Sequence, residues 1–409
     1  MKKYFLIIFN VFFLIILIET FLKLGSFGDV DYFDKKNSIL ASYRPINNNS
    51  FLGYTGKKSF SANTIHYEPG KYFKTSTNTD GFRTHEFLPK EQNEFRVVIL
   101  GDSFVWGMNA NDNETISSIL EKKYHVINKN VKVFSLGVTG YSGVNYVGIA
   151  RTYFDYLKPD LIILCIDQSD FNDDVNKLNN IGYSFDDKGY PYKVKKKEAL
   201  SQTIKKENYI DKVDNLKNLL LLESATFNYL IFLRNKIKSY RYKQSLKKVL
   251  ERNYETISYE NLSLLDKNDL KRINISGDNI FYNLEDSKKK YWLTLKSLEF
   301  VKKKTEDINS TLVLFSHPYA WYVDPKQSKY YQVRNYGKIY DFRKNKVYAD
   351  LVKYYSEILK VDYFDSHDFF INNPGSYWGD LDPHFNALGY EKYAEFIFSK
   401  IKTFKKLNR

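Results

Sequence analysis

The chain has 409 residues, of which 43% are hydrophobic and 27% charged, and its formal net charge at pH 7 is +14. This composition excludes a disordered chain and is typical of a globular protein with a large core. The positive charge suits anionic partners, but no nucleic-acid-binding motif accompanies it, so we expect no nucleic-acid partner. The single cysteine, Cys165, excludes an intrachain disulfide.

The first predicted element is a membrane anchor at residues 1–25. Two lysines precede a largely apolar stretch at residues 4–22. This stretch is close to the roughly 20 residues that a helix needs to cross a bilayer. No small-residue cleavage site follows, which favours a signal anchor over a cleaved signal peptide. The two lysines predict a cytoplasmic amino terminus, so we expect the rest of the chain on the extracytoplasmic (periplasmic) side of the inner membrane.

Residues 26–94 carry Gly, Asn, Pro and scattered aromatics without periodicity, which predicts a tether that becomes an ordered strap near "NTDGFRTHEF". After this segment, strand and helix signals alternate, and this alternation predicts βαβ units around a parallel sheet. The predicted strands are 96–102, 131–138, 160–167, 310–317 and 361–369. The fold class is therefore α/β: a three-layer α/β/α arrangement with a five-stranded parallel sheet.

The third and fourth predicted strands lie about 140 residues apart, far more than an ordinary crossover requires. Much of this interval has a helical pattern and is rich in lysine. We therefore predict a mainly helical insertion at residues 184–285, which divides the core into 95–183 and 286–409. The last predicted helix runs from residue 387 to about residue 402.

Polar residues follow the predicted strands at the edge where α/β proteins place their sites. Ser103 ends the first strand in "ILGDSFVWG", either as a helix N-cap or as a nucleophile. Gly140 follows the second strand, a polar cluster at 167–174 follows the third, and Asp382 and His384 precede the last helix. A serine, a histidine base and a carboxylate that orients the histidine are the components of an acyl-transfer site.

Taken in order, the Gly-Asp-Ser turn, the glycine block, the Asp-Gln-Ser-Asp block and the Asp-x-His pair resemble the SGNH (GDSL-type) hydrolase superfamily. The resemblance covers residues 94–175 and 308–402 and implies a flavodoxin-like SGNH fold. No G-x-S-x-G elbow surrounds Ser103, which argues against an ordinary α/β-hydrolase.

The resemblance also implies roles for individual residues. Ser103 would be the nucleophile, His384 the general base, and Asp382 the acid that orients it, with Asp380 as its rival. The N–H groups of Ser103 and Gly140 would form the oxyanion hole. The oxyanion-binding asparagine of the family aligns with Ser169, or with Asn172 if the loop is two residues longer. These two alternatives stay open, and no cofactor or metal is implied.

The function implied is a membrane-anchored serine esterase or acyltransferase that hydrolyses or transfers an acyl ester, acetyl above all, on a cell-surface or secreted carbohydrate. A membrane-bound acyltransferase would be a partner that supplies the acyl group. Two alternatives remain. A degenerate glycan-binding scaffold predicts His384 beyond hydrogen-bonding reach of Ser103, and a lipid or thioester hydrolase predicts an apolar acyl channel beside Ser103. We predict a structural role for His317, on the same sheet edge.

Overall fold

The computed structural model describes residues 54–64, 73–180, 182–194, 251–258, 283–327, 329–379 and 382–402, with scattered positions in 10–20 and 237–249. The predicted anchor, the first part of the tether and most of the predicted insertion lie largely outside these residues. Within the described part, none of the helices has the length and apolar character that crossing a membrane requires.

Strands and helices alternate along most of the described chain. The strands are β1 (Ser61–Thr64), β2 (Phe73–Ser76), β3 (Phe95–Leu100), β4 (Val131–Ser135), β5 (Leu161–Ile166), β6 (Tyr183–Phe185), β7 (Pro191–Val194), β8 (Thr256–Ser258), β9 (Thr311–Ser316), β10 (Ile339–Asp341) and β11 (Asp362–Asp365). The helices are α1 (Ser103–Trp106), α2 (Ile116–His125), α3 (Gly143–Leu157), α4 (Gln168–Asn180), α5 (Leu284–Lys290), α6 (Trp292–Asp307), α7 (Ala320–Val323), α8 (Lys329–Tyr336), α9 (Val347–Leu359), α10 (His367–Asn372) and α11 (Ala387–Ile401).

One parallel sheet organises the core, with the spatial order β11-β9-β5-β3-β4. Numbered along the chain, these five strands have the order 2-1-3-4-5, which is the flavodoxin-like arrangement. The predicted five-stranded parallel sheet is confirmed. In this arrangement, the chain reverses direction across the sheet between β3 and β5, and ligands bind at the carboxyl ends of strands at such a switch point.

Both faces of the sheet are buried. Along β3, Val97 and Ile99 point to one face and Val98 and Leu100 to the other, because side chains alternate along a strand. The first face packs against residues of α2 and α11, and the second against residues of α3, α6 and α9. The three-layer prediction is therefore confirmed, and burial on both sides explains why the strands are continuous apolar runs.

The fifth predicted strand, 361–369, is too long at its carboxyl end, because β11 stops at Asp365. The Asp365 carboxylate accepts a hydrogen bond from the His367 backbone N–H at 3.3 Å, and the Ser366 hydroxyl donates to the Ser316 carbonyl at 2.9 Å. These two bonds turn the chain into α10.

The described amino-terminal end of the predicted insertion is not helical. It is an antiparallel hairpin of β6 and β7, with a turn in which the Asp186 carboxylate accepts hydrogen bonds from the backbone N–H groups of Lys188 and Tyr190. Further along, β8 pairs in parallel with β10, which lies beyond the insertion. Helical positions occur at 244–249. Most of residues 184–285 lies outside the described part of the chain, so the mainly helical character of the insertion stays a prediction there.

The strap, defined here as residues 73–94, packs along the outer edge of β4. The outward N–H of Ser135 donates to the Thr84 hydroxyl at 3.0 Å, and that of Val133 donates to the Glu121 carboxylate at 2.8 Å. Side chains therefore take the place of a further strand at this edge.

Candidate active site

The turn that follows β3 presents Ser103. Asp102 is the N-cap of α1, because its Oδ1 accepts the Phe104 N–H at 2.9 Å. The alternative interpretation, in which Ser103 is the cap, is therefore wrong. Ser103 is instead the first helical residue, where a backbone N–H has no acceptor within its own helix. The turn needs Gly101, since a Cβ there would lie 2.2 Å from a methyl group of Val105.

Ser103 and the Asp-x-His pair meet at the carboxyl edge of the sheet. The Ser103 Oγ lies 2.6 Å from His384 Nε2, and His384 Nδ1 lies 2.6 Å from Asp382 Oδ1. Ser103 and Asp382 are only 6% and 3% exposed, so these contacts are shielded from water. Asp380, the predicted rival of Asp382, lies outside the described residues.

A second carboxylate competes for the Ser103 hydroxyl proton. Asp102 Oδ2 lies 3.0 Å from Ser103 Oγ, while His384 Nε2 lies at 2.6 Å. A hydroxyl has a single proton to donate. The proton goes either to the imidazole, as nucleophilic attack requires, or to the Asp102 carboxylate.

The electrostatics of the imidazole follow from its partners. Burial lowers the pKa of His384, but the negative charge of Asp382 and its hydrogen bond to Nδ1 raise that pKa more, so the net pKa is above its ordinary value. A partner that stabilises the imidazolium makes the imidazole a stronger base toward Ser103.

Other carboxyl groups beneath the site are held close to neutrality. Burial, followed by the charge of Asp167, raises the pKa of Asp102 to about 7. Burial and the charges of Asp102 and Asp167 also raise the pKa of Asp170 well above its ordinary value. Buried like charges repel one another, so protons are retained in this cluster at pH values where exposed aspartates are ionised.

The turn that carries Gly140 is fixed from two directions. The Tyr54 hydroxyl donates to the Thr139 carbonyl at 2.7 Å, and the Lys177 ammonium donates to the Gly140 carbonyl at 2.6 Å. Gly140 has φ +74°, and a Cβ there would lie 2.8 Å from the Tyr54 hydroxyl. Glycine is therefore required both by conformation and by space.

The two candidates for the third oxyanion donor both have other partners. The Ser169 hydroxyl donates to Asp167 Oδ2 at 2.5 Å, which uses its only proton. The Asn172 amide oxygen accepts a hydrogen bond from the Tyr291 hydroxyl at 2.9 Å. The Ser169 proton is therefore used, whereas the bond to Asn172 involves the amide oxygen and not the amide N–H groups that an oxyanion would require. Among the described residues, the hydrogen bonds of these two side chains do not include the Ser103 hydroxyl, unlike that of His384.

Sequence reasoning missed Asn109, whose Nδ2 donates to Asp382 Oδ2 at 2.7 Å. His317 is buried against the Phe104 ring, with ring centroids 4.0 Å apart, and burial lowers its pKa to about 4. A neutral, buried ring suits the structural role predicted for it. Within the described residues, no three His, Cys, Asp or Glu side chains are grouped so as to hold a metal ion.

Comparison with known proteins finds no family model and no curated protein that matches this chain. The chain is similar to three solved structures, each with a TM-score of 0.35: an esterase from a Pseudoalteromonas species, a lipase/acylhydrolase from Enterococcus faecalis and an acetylxylan esterase from Geobacillus stearothermophilus. The Pseudoalteromonas esterase is 12% identical over 77% of this chain and 100% of its own. The Enterococcus faecalis lipase/acylhydrolase is 10% identical over 75% of this chain and 95% of its own. The Geobacillus stearothermophilus acetylxylan esterase is 11% identical over 76% of this chain and 96% of its own.

Proposed function

We propose that this protein is a serine esterase or acyltransferase of the SGNH type. One observation carries the proposal: the Ser103 hydroxyl, the His384 imidazole and the Asp382 carboxylate form a chain of two contacts of 2.6 Å each. These are the distances of a nucleophile, a general base and the group that orients the base.

In the proposed reaction, Ser103 Oγ attacks the ester carbonyl while His384 Nε2 takes the hydroxyl proton. The backbone N–H groups of Ser103 and Gly140 stabilise the negative oxygen of the tetrahedral intermediate. The intermediate expels the alcohol, which receives the proton from His384, and an acyl-Ser103 ester remains. Water then attacks this ester in a hydrolase, and a sugar hydroxyl attacks it in a transferase.

We propose an acetyl ester of a cell-surface or secreted carbohydrate as the substrate. The shielding of Ser103, which is 6% exposed, favours a small acyl group. A long-chain lipid substrate calls for an apolar channel at the nucleophile instead.

The proposal includes a location and a partner. The apolar stretch near the amino terminus supports a single-pass anchor with the catalytic domain outside the cytoplasm. A membrane-bound acyltransferase is the proposed source of acyl groups for a transferase. Protease treatment of spheroplasts tests the location: digestion of the domain without lysis is expected, and protection of the domain argues for a cytoplasmic location.

The function is tested with the full chain in detergent and an acetyl ester of a chromogenic phenol. Ser103→Ala is expected to reduce kcat by about 10³-fold or more. Ser135→Ala is the matched control, because Ser135 is a buried serine at the end of the adjacent strand β4. A serine-directed phosphonate should add its mass to the wild type and to Ser135→Ala, but not to Ser103→Ala.

A second candidate function is a glycan-binding scaffold that catalyses no reaction. It is favoured by the Ser169 hydroxyl, which donates its proton to Asp167 and so cannot donate it to an oxyanion. The short Ser103–His384 contact opposes it, since a scaffold does not need this contact. A wild type that neither turns over nor accepts the phosphonate, but binds acetylated polysaccharide, would establish the scaffold instead. Transfer and hydrolysis are separated by mass analysis of an added oligosaccharide acceptor.

A further inference from the structure

The strap inserts the guanidinium of Arg83 into the protein at the carboxyl end of the helix that begins with Ser103. Arg83 is only 4% exposed. Its side chain donates to the Asp112 carboxylate at 2.8 Å and to four backbone carbonyls at 2.7 to 3.2 Å. The carbonyls belong to Lys74, Trp106, Gly107 and Ala110. Only the forked donor set of arginine serves so many acceptors at once.

Three of these carbonyls belong to a single loop, residues 106–110, which begins at the last residue of α1. Arg83 holds the carbonyls of Trp106, Gly107 and Ala110, and the Tyr390 hydroxyl donates to that of Met108 at 2.8 Å. Four of the five carbonyls of the loop are thus fixed by buried side chains. Because α1 begins at Ser103 and ends at Trp106, the same contacts fix the far end of the nucleophile's own helix.

The remaining residue of the loop, Asn109, contacts the triad. Asn109 has φ +60°, a left-handed conformation that asparagine tolerates better than most residues. In this conformation its Nδ2 donates to Asp382 Oδ2 at 2.7 Å, while Asp382 Oδ1 faces His384 Nδ1 at 2.6 Å. The carboxylate is therefore held at both oxygens, and its plane cannot turn away from the imidazole without losing a buried hydrogen bond.

We propose that Arg83 and Asn109 are positioning residues for the triad: Arg83 fixes the loop 106–110, and Asn109 keeps the Asp382 carboxylate aligned with His384. This inference rests on the proposed function, since it concerns the same three catalytic groups. Neither residue is proposed to touch substrate. The consequence is that a segment outside the α/β core, the strap, sets the geometry of proton transfer at Ser103.

The first test replaces Arg83 with lysine in the full chain. Lysine keeps the charge but has one nitrogen, so most of the loop carbonyls lose their donor. The reacting atoms should then be slightly misplaced, so we expect kcat to fall about tenfold. KM should stay unchanged within about twofold, because neither Arg83 nor the loop carbonyls that it binds are proposed to touch substrate. Arg151→Lys is the matched control, since Arg151 binds Asp186 on the β6–β7 hairpin.

The second test replaces Asn109 with aspartate, which has the same size but places a carboxyl group against Asp382. Two adjacent buried carboxyl groups share a proton at low pH, so the added negative charge appears as that proton is lost. The charge should then raise the pKa of His384, and the low-pH limb of the kcat/KM profile should move to higher pH. Asn113→Asp adds the same charge at an exposed position of the neighbouring turn and should leave the limb in place. A purely structural role would lower the melting temperature of Asn109→Asp without moving this limb.

The titration of His384, followed by NMR with ¹⁵N-histidine, gives a measurement that does not need turnover, with His384→Gln to assign the signal. A raised His384 pKa in Asn109→Asp supports the inference even if the wild type hydrolyses no ester, in which case only the proposed function fails. If the wild type is active, unchanged kcat in Arg83→Lys together with an unshifted limb in Asn109→Asp overturns the inference. An Arg83→Lys protein that does not fold leaves the Asn109→Asp result to decide.

Discussion

The two sides of Ser103 are built differently. On the acid side, formed by Asn109, Asp382 and His384, three side chains are linked by contacts of 2.6 to 2.7 Å that end at the serine hydroxyl. On the third-strand side, Asp167 and Ser169 bond to each other, and Ser169 directs its proton away from the nucleophile. In the proposed mechanism, proton transfer is therefore supported by side chains, whereas the oxyanion is bound by backbone N–H groups.

In the proposed mechanism, this difference separates what proton transfer requires from what oxyanion binding requires. A general base needs an exact orientation, and only side chains at fixed positions supply it. An oxyanion hole needs donors of any origin, and a turn that is held rigidly supplies them from its backbone. The bonds from Tyr54 and Lys177 hold the Gly140 turn, whose backbone N–H is a proposed oxyanion donor.

The largest expected effect is on the acid side. Asp382→Asn should lower kcat by about 10³–10⁴-fold, because an amide favours the wrong imidazole tautomer and does not stabilise the imidazolium. The measurement is kcat for the acetyl ester between pH 6 and 9. Asp155→Asn is the control, since Asp155 forms an exposed pair with Lys304 and such pairs contribute little. A loss of less than tenfold at Asp382 would contradict the acid-side assignment.

The next effect concerns stability. Burial and the charge of Asp167 raise the pKa of Asp102 to about 7 in the folded protein. Between the unfolded-state pKa and about 7, the folded state binds more protons than the unfolded state, so stability falls as pH rises through this window. Asp102→Asn keeps a helix-capping oxygen but cannot ionise. We expect the wild type to lose roughly 2–4 kcal/mol more than this variant between pH 4 and 7.

Urea unfolding at each pH measures this difference. The absolute stabilities of wild type and variant are not the test, because the substitution also changes the contact with Ser103. Parallel stability–pH curves for the two proteins would show that Asp102 ionises in the folded state as it does in an exposed peptide.

A smaller effect is expected at the oxyanion turn. Gly140→Ala should destabilise the protein by about 1–2 kcal/mol, because alanine disfavours the left-handed conformation, and its methyl group would press on the Tyr54 hydroxyl. Gly189→Ala is the matched control: Gly189 has φ +76° with nothing within 4 Å of the added methyl. Both variants should lose stability, but only Gly140→Ala should also lose kcat. Equal kcat values in the two variants would remove Gly140 from the oxyanion hole.

The smallest effect is expected on the third-strand side. Ser169→Ala should change kcat by less than about threefold, because the hydroxyl proton of Ser169 is already donated to Asp167. The same limit is expected for Asn172→Ala, because the Tyr291 hydroxyl binds the Asn172 amide oxygen and holds that side chain at Tyr291. A side-chain oxyanion donor would instead be worth about 10²–10³-fold in kcat. A loss of that size in either variant would identify that side chain as an oxyanion donor. Side chains would then support the reaction on both sides of Ser103.

The sheet was predictable because burial on both faces leaves apolar runs, and parallel strands need the helices that separate those runs. Ser103, at the end of a strand, and the Asp382–His384 pair, before the last helix, were predictable from their residue types and positions. The turn after Asp365 was not, because its hydrogen bonds join a carboxylate and a hydroxyl to backbone groups, and this leaves no hydrophobic pattern.

Asn109 marks the limit of reading the site from sequence. It lies 273 positions from Asp382, in the segment Trp-Gly-Met-Asn-Ala, which carries no sequence motif that points to the site. Only the packing of the last helix against the loop 106–110 brings the two side chains together. The direction of the Ser169 hydroxyl is equally invisible, because it depends on Asp167 being within 2.5 Å.

The side chains that cover the edge of β4 also bear on how the molecule behaves in a crowded solution. Exposed strand edges recruit strands from other copies and cause self-association. Glu121 belongs to the α/β core, but Thr84 belongs to the strap, so a chain shortened to begin at residue 95 would expose the Ser135 N–H. Such a fragment is expected to form oligomers through β4, and the strap is thus expected to prevent aggregation by covering this strand edge.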